Sequence, residues 1–172
     1  MLDAPGLELL RGEIERDRPG AVLDTSFDRE QAALIVDPAR VLEALTWLKE
    51  TPGKRFDFLA SLHVADYLPA EPRFGVHYEL INRERAERVR VKAMLASTAD
   101  GSLPAIDSCA GLFPTANFQE REAFDFFGIE FRGHPDLTRI LLPEDYVGWP
   151  QRRDFPVGGE PVTFTYNERN YG

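Results

Sequence analysis

Apolar and polar positions alternate along this chain in two rhythms, and one long stretch keeps neither. Leu7, Leu10 and Ile14 recur at helical spacing among charged neighbours from Leu2 to Arg16, predicting an amphipathic first helix closed by Pro19 and Gly20. Two short runs, Ala21 to Phe27 and Gln31 to Val36, flank Asp28, Arg29 and Glu30 and read as a hairpin. Asp37 before Pro38 suits a helix start, since the aspartate can cap and proline tolerates the first helical position. Val41, Ala44, Leu45 and Leu48 then share one face, so a second helix runs to about Glu50 and stops at Thr51, Pro52 and Gly53. Phe56 to His63, Arg73 to Asn82 and Arg88 to Ala96 follow as three strands, with connections short enough for antiparallel neighbours. In the second of these, Phe74, Val76, Tyr78 and Leu80 alternate with Gly75, His77, Glu79 and Ile81, which predicts one buried face and one more polar face. The order α-β-β-α-β-β-β predicts an α+β fold over residues 1–97: a two-layer sandwich of two helices on a mostly antiparallel sheet.

Residues 98–116 read as a linker, and residues 117–172 as a helix plus an extended segment. The third helix spans Phe118 to Phe127, with Thr115 or Asn117 as its cap and Gly128 as its left-handed stop. Glu120 and Glu122 lie where the positive end of the helix dipole favours anions. Phe118, Phe124, Phe126 and Phe127 are too many for one apolar stripe, so the helix is expected to face two bodies. After Gly128 the pattern breaks. Apolar runs at Ile129 to Phe131 and Ile140 to Leu142 are interrupted by Gly133, Pro135, Pro143, Gly148, Pro150 and Pro156. Ordering such a ribbon costs about 1–2 kcal/mol of backbone entropy per residue. Its aromatic content is wrong for disorder, so it must lie along another surface, either its own amino-terminal domain or a partner protein.

Composition narrows the chemistry. With 20 Lys and Arg against 29 Asp and Glu, the net charge is −9, which argues against nucleic acid or an anionic membrane as main partner. A single cysteine, Cys109, provides no disulfide framework and no tetracysteine cluster or zinc site. Neither GxGxxG nor GxxxxGK[ST] occurs, so dinucleotide or nucleotide binding by those loops is not expected. No run reaches the roughly 20 apolar residues of a membrane-spanning helix, and the first residues lack a signal peptide's basic flank and apolar core. Ser108-Cys109-Ala110 has no nucleophile elbow around it. Glu120, Glu122, Asp125 and His134 invite a metal reading, but the helix offers no ExxH pair and the structural reading, ion pairs and hydrogen bonds at an interface, is preferred. Arg83, Arg85, Arg88, Arg90 and Lys92 make a locally basic hairpin, read either as a solvated, aggregation-resistant edge or as a docking surface.

The string Glu120-Arg121-Glu122, then Asp125, Gly128-Ile129, Gly133 to Leu137, Arg139 to Leu141, Pro143 to Asp145, Gly148 to Pro150 and Arg153-Asp154, resembles the signature of the thirty-kilodalton subunit family of complex I. Members of that family are the C subunit, or the J subunit in the photosynthetic version, of proton-pumping NADH:quinone oxidoreductase. Departures are Phe118 where a tryptophan is usual, Thr138 where a basic residue is common, and Gln151 and Arg153 in the late string. The resemblance implies a non-catalytic scaffold of the peripheral arm, with no cofactor in this chain. It also implies that residues from about 117 onward wrap a large, hydrogenase-like partner of the forty-nine-kilodalton type, on the cytoplasmic side of the membrane. Partner contacts are expected from Phe118, Glu120, Arg121, Glu122, Asp125, His134, Arg139, Trp149, Arg153 and Asp154. Two other readings are the equivalent scaffold of a membrane-bound nickel–iron hydrogenase or formate hydrogenlyase complex, and a stand-alone metal-dependent enzyme built on His134 and its neighbouring carboxylates.

Overall fold

The computed structural model describes residues 2–29 and 31–156. Helix α1 covers Ala4–Asp17, with Asp3 accepting a hydrogen bond from the Gly6 N–H at 2.8 Å as its cap and Leu7, Leu10 and Ile14 buried. Strands β1 (Val22–Asp28) and β2 (Gln31–Val36) form the antiparallel hairpin. Asp37 caps a single 3-10 turn at Pro38–Arg40 rather than the helix itself; α2 (Val41–Glu50) follows directly. The Trp47 indole donates to Asp17 at 2.9 Å and so fastens α2 beside the end of α1.

Strands β3 (Phe58–Asp66), β4 (Phe74–Asn82) and β5 (Glu87–Leu95) form an antiparallel meander. The sheet order is β1-β2-β5-β4-β3, so the hairpin joins the meander through one parallel pair, β2 with β5. Two helices on a mostly antiparallel sheet is the architecture the hydrophobic rhythm predicts. The basic strand β5 is not an edge, however: it lies between β2 and β4, and the edges are β1 and β3. Arg83, Arg85 and Arg90 are paired with Asp57, Glu87 and Glu79.

The stretch expected to be a linker is largely structural. Strand β6 (Ala105–Asp107) pairs in parallel with β7 (Glu130–Arg132), and Ile106, Cys109 and Phe113 are buried in the same core as Leu34, Leu45 and Tyr78. Three-residue strands leave no alternation to detect, so the sequence shows only proline and glycine there. Helix α3 spans Ala116–Phe127 and ends on Gly128 in the left-handed conformation, φ 66°. Its first residue is preceded by Thr115, whose side chain does not cap but donates to the Leu59 carbonyl of β3 at 3.0 Å.

Candidate partner-docking site

Helix α3 inverts the usual amphipathic rule. Its buried residues are Ala116, Glu120, Ala123 and Asp125, while Phe118 is 64 % exposed and Phe124, Phe126 and Phe127 are half-buried. A carboxylate can be buried only where donors replace the water it loses. Glu120 finds them in the Ser108 hydroxyl at 2.5 Å and the Cys109 N–H at 2.7 Å, so it stitches α3 to the turn after β6. Burial pushes its carboxyl above the ordinary value, although these donors and His134 pull the other way. It does not serve the helix start, as its place in the sequence suggested.

Asp125 is the anchor of the ribbon. Its Oδ2 accepts three successive N–H groups, from Ile140, Leu141 and Leu142, at 3.1, 2.7 and 2.9 Å. Its Oδ1 takes Arg139 at 2.8 Å, and the same nitrogen also donates to the Asp125 carbonyl at 2.9 Å. Burial alone would raise this carboxyl; the Leu142 N–H, Arg139 and the other two N–H groups overcome it and hold it below the ordinary value. The second Arg139 nitrogen donates to the carbonyls of Tyr146 and Gly148, and the guanidinium lies 4.6 Å from the centre of the Trp149 ring. One carboxylate and one guanidinium thus define the path of residues 139–149.

Trp149 closes over the helix end. It meets Phe124 edge-on at 5.3 Å, and a Cβ at position 128 would fall 2.5 Å from its indole, so only glycine leaves room. Gln151 N–H and the Arg152 side chain then satisfy the Phe126 and Phe127 carbonyls at 3.2 and 2.7 Å, two of the orphan acceptors of the last turn. Asp154 completes the fastening by pairing with Arg73 at the start of β4, which also pairs with Asp66, both at 2.6 Å. Arg153 donates its backbone N–H to Asp66. At Asp66 burial works upward, but the Arg73 side chain and the N–H groups of Arg153 and Leu68 carry the carboxyl down to about 2.

His134 lies in the Gly133–Pro135 turn with its ring covered. Its Nδ1 accepts the Asp136 N–H at 3.0 Å, so the ring proton sits on Nε2 and is donated to the Asn117 carbonyl at 3.1 Å. Glu120, Asp125, His134 and Arg139, expected at the partner contact, are turned inward: Asp125, His134 and Arg139 hold the ribbon to α3, and Glu120 holds α3 to the turn after β6. The Asp154 carboxylate is spent on Arg73 and the Arg153 backbone on Asp66, and Arg121 donates to the Thr138 hydroxyl and the Thr138 and Arg139 carbonyls. Through residue 156 the ribbon lies along α3, and its end is fastened to Arg73 and Asp66 of the amino-terminal domain. Residues 157–172 of the expected wrapping segment lie outside the described residues.

Among the charged and polar residues that this scaffold presents outward stand three large apolar side chains, Phe118, Leu141 and Val147. Leu141 is 61 % exposed and Val147 88 %, and the Arg121 guanidinium that binds Thr138 and Arg139 sits 6.0 Å from the centre of the Phe118 ring. Leu141 and Val147 carry no functional signal in the sequence, where they are two more apolar residues in an apolar ribbon. Arg73 and Asp66 escape sequence reasoning as anchors. Among the described residues no group of three His, Cys, Asp or Glu is placed to hold a metal ion, and no helix is long and apolar enough to cross a membrane.

Residues 34–161 match the family described as respiratory-chain NADH dehydrogenase, 30 Kd subunit. The chain is 42 % identical over 166 residues to the C subunit of NADH-quinone oxidoreductase from Roseiflexus sp. (strain RS-1), covering 96 % of this chain and 91 % of that one. Among solved structures, a trypsin-resistant fragment of Nqo5 superposes with a TM-score of 0.60 at 28 % identity, covering 76 % of this chain and 98 % of the fragment. A chain of the membrane-bound sulfane sulfur reductase, an archaeal respiratory membrane complex, shares the fold with a TM-score of 0.68 at 24 % identity, over 95 % and 90 % of the two chains.

Proposed function

The chain belongs to the respiratory-chain NADH dehydrogenase 30 Kd subunit family, and from that premise we propose that it is a scaffold of the peripheral arm of a proton-translocating NADH:quinone oxidoreductase. It contributes no reacting group and holds no cofactor of its own; flavin, iron–sulfur clusters and the quinone pocket belong to other chains. Its docking face is the outer side of α3 and of the ribbon, and the large hydrogenase-like protein of the arm is the partner that covers it. The assembly places it on the cytoplasmic side of the membrane.

One observation carries this reading: three large apolar side chains, Phe118, Leu141 and Val147, stand out from a segment that is otherwise locked in place by buried polar anchors. Such a rigid, apolar presentation is what a protein interface needs, since pre-ordering removes the entropy cost of fixing a loop on binding. The hydrogen bonds of Glu120 and His134 argue in the same direction, because they give both side chains a structural role within this chain.

The test is gentle purification through a tag on this chain, with mass spectrometry of the accompanying proteins. Recovery with an NADH-oxidising module and a large hydrogenase-like protein is expected. Recovery with a nickel-bearing large partner and no NADH module would instead make it the scaffold of a hydrogenase complex. A lone chain carrying stoichiometric metal, lost in His134→Ala, would make it an enzyme and sink the proposal.

A further inference from the structure

Strand β3 is the outermost of its sheet, and its register with β4 turns the backbone of Leu62 and Val64 away from the ladder. Along the first turns of α3 this edge is closed by side chains: Gln119 accepts the Leu62 N–H and Thr115 donates to the Leu59 carbonyl. Further along, helix and strand leave a cleft of about 370 Å³ between them, lined by Ser61, His63 and Val64 of β3, by Glu122 and Phe126 of α3, and by Gln151 of the ribbon.

Glu122 is the anomaly of this helix. Glu120 and Asp125 each have several donors, whereas Glu122 has no hydrogen-bond donor and no cation among the described residues. It is also the only formal charge among the described residues that line the cleft: burial lowers the His63 pKa below its ordinary value, so that ring is uncharged near neutral pH. Elsewhere this chain repeatedly seats a guanidinium between a carboxylate and a ring. Arg139 lies between Asp125 and Trp149, and Arg73 between Asp66 and Phe74, with ring distances of 4.6 and 4.7 Å. Glu122 and Phe126 are four residues apart on one helix face, the same carboxylate and ring with the cation missing.

We infer that the cleft between α3 and β3 receives an arginine side chain from an extended segment of the partner protein, its guanidinium paired with Glu122 and laid against Phe126. The inference rests on the scaffold reading and names the chemistry of one contact within it. Arginine fits better than lysine because its planar fork pairs with a carboxylate through two nitrogens and its weak hydration lets it lie on an aromatic face. The outward-facing backbone at Val64 offers the segment a short strand edge to pair with, which explains why an extended chain rather than a helix occupies the groove. Closing the cleft excludes water and strengthens the pairing.

The test uses the whole complex, purified through a tag on this chain. Glu122→Gln should lower the recovered partner roughly thirtyfold or more, as loss of one half of a desolvated charge pair does, while Glu122→Asp retains most of it. The urea midpoint of the isolated chain should not move, because Glu122 is exposed and unpaired there. A benzophenone amino acid at position 151 should capture a peptide containing arginine, and exchanging that arginine for glutamate should restore recovery with Glu122→Arg. Undiminished recovery with Glu122→Gln, or capture of a peptide lacking arginine, overturns the inference. If Phe118→Asp together with Leu141→Asp still lowers recovery severalfold in that case, the scaffold reading survives; if the unmodified chain recovers no complex, the scaffold reading itself has failed.

Discussion

By sequence, His63 and His77 are two unconnected strand histidines. The structure stacks their rings, 4.9 Å apart and 1° from parallel, because the register of β3 with β4 sets them directly opposite. That register is not legible in the sequence, since β3 carries an irregularity between Leu59 and Ser61 that shifts every later residue by one. The Tyr67 hydroxyl lies 3.1 Å from His77 Nε2, and Gly75 makes the meeting possible: a Cβ there would come within 2.8 Å of the Tyr67 ring. Burial, reinforced by His63, Lys92 and Arg90, brings the His77 pKa down to about 3. A histidine depressed in the folded state contributes stability above its unfolded pKa of about 6.5 and loses it as pH falls toward the folded value. Denaturant midpoints should therefore decline between about pH 6.5 and 5, above the range where most carboxylates titrate. In His77→Gln that decline should be visibly shallower; a flat midpoint in the unmodified protein would contradict a buried, neutral His77.

Helix α3 and its ribbon show what periodicity conveys about an element and what it does not. The existence of the helix and its stop at Gly128 are legible, because a left-handed glycine after an aromatic run has a local cause. Which side it buries is not, since apolar counting assigns the inside to phenylalanine and here the inside goes to Glu120 and Asp125. The signal lies in residues far along the chain: three consecutive N–H groups and Arg139 make Asp125 the better buried group. Asp125→Asn would leave Arg139, with a side chain only 11 % exposed, without its charge partner. Breaking such a pair costs about 3–5 kcal/mol. The loss should fall on residues 133–156 first, seen as faster trypsin cleavage there while the sheet stays protected. Equal cleavage of variant and parent would show that the ribbon does not depend on this carboxylate.

At the scale of the whole molecule, the two-layer plan is legible because every one of its strands and helices is long enough to show a rhythm. The strand order is not, since nothing local tells β2 to choose β5 in parallel, and β6 with β7 is too short to be seen. The outer face of α3 is the proposed docking face. Phe118→Asp together with Leu141→Asp should leave the thermal midpoint of the isolated chain within a degree or two, because both side chains are exposed. Recovery of the assembled complex should fall severalfold, with turnover per assembled complex unchanged; lost turnover at normal recovery would point to chemistry in this chain. The single parallel junction has a further consequence. The hairpin and the meander can each close on its own from neighbouring residues, but their union requires β2 to wait for β5, with α2 and two more strands made in between. Distant pairings of this sort form late and slowly. A nascent chain emerging from the ribosome would therefore carry two half-sheets with bare margins until about residue 95 is out, and that interval is when it most needs shelter from its own kind.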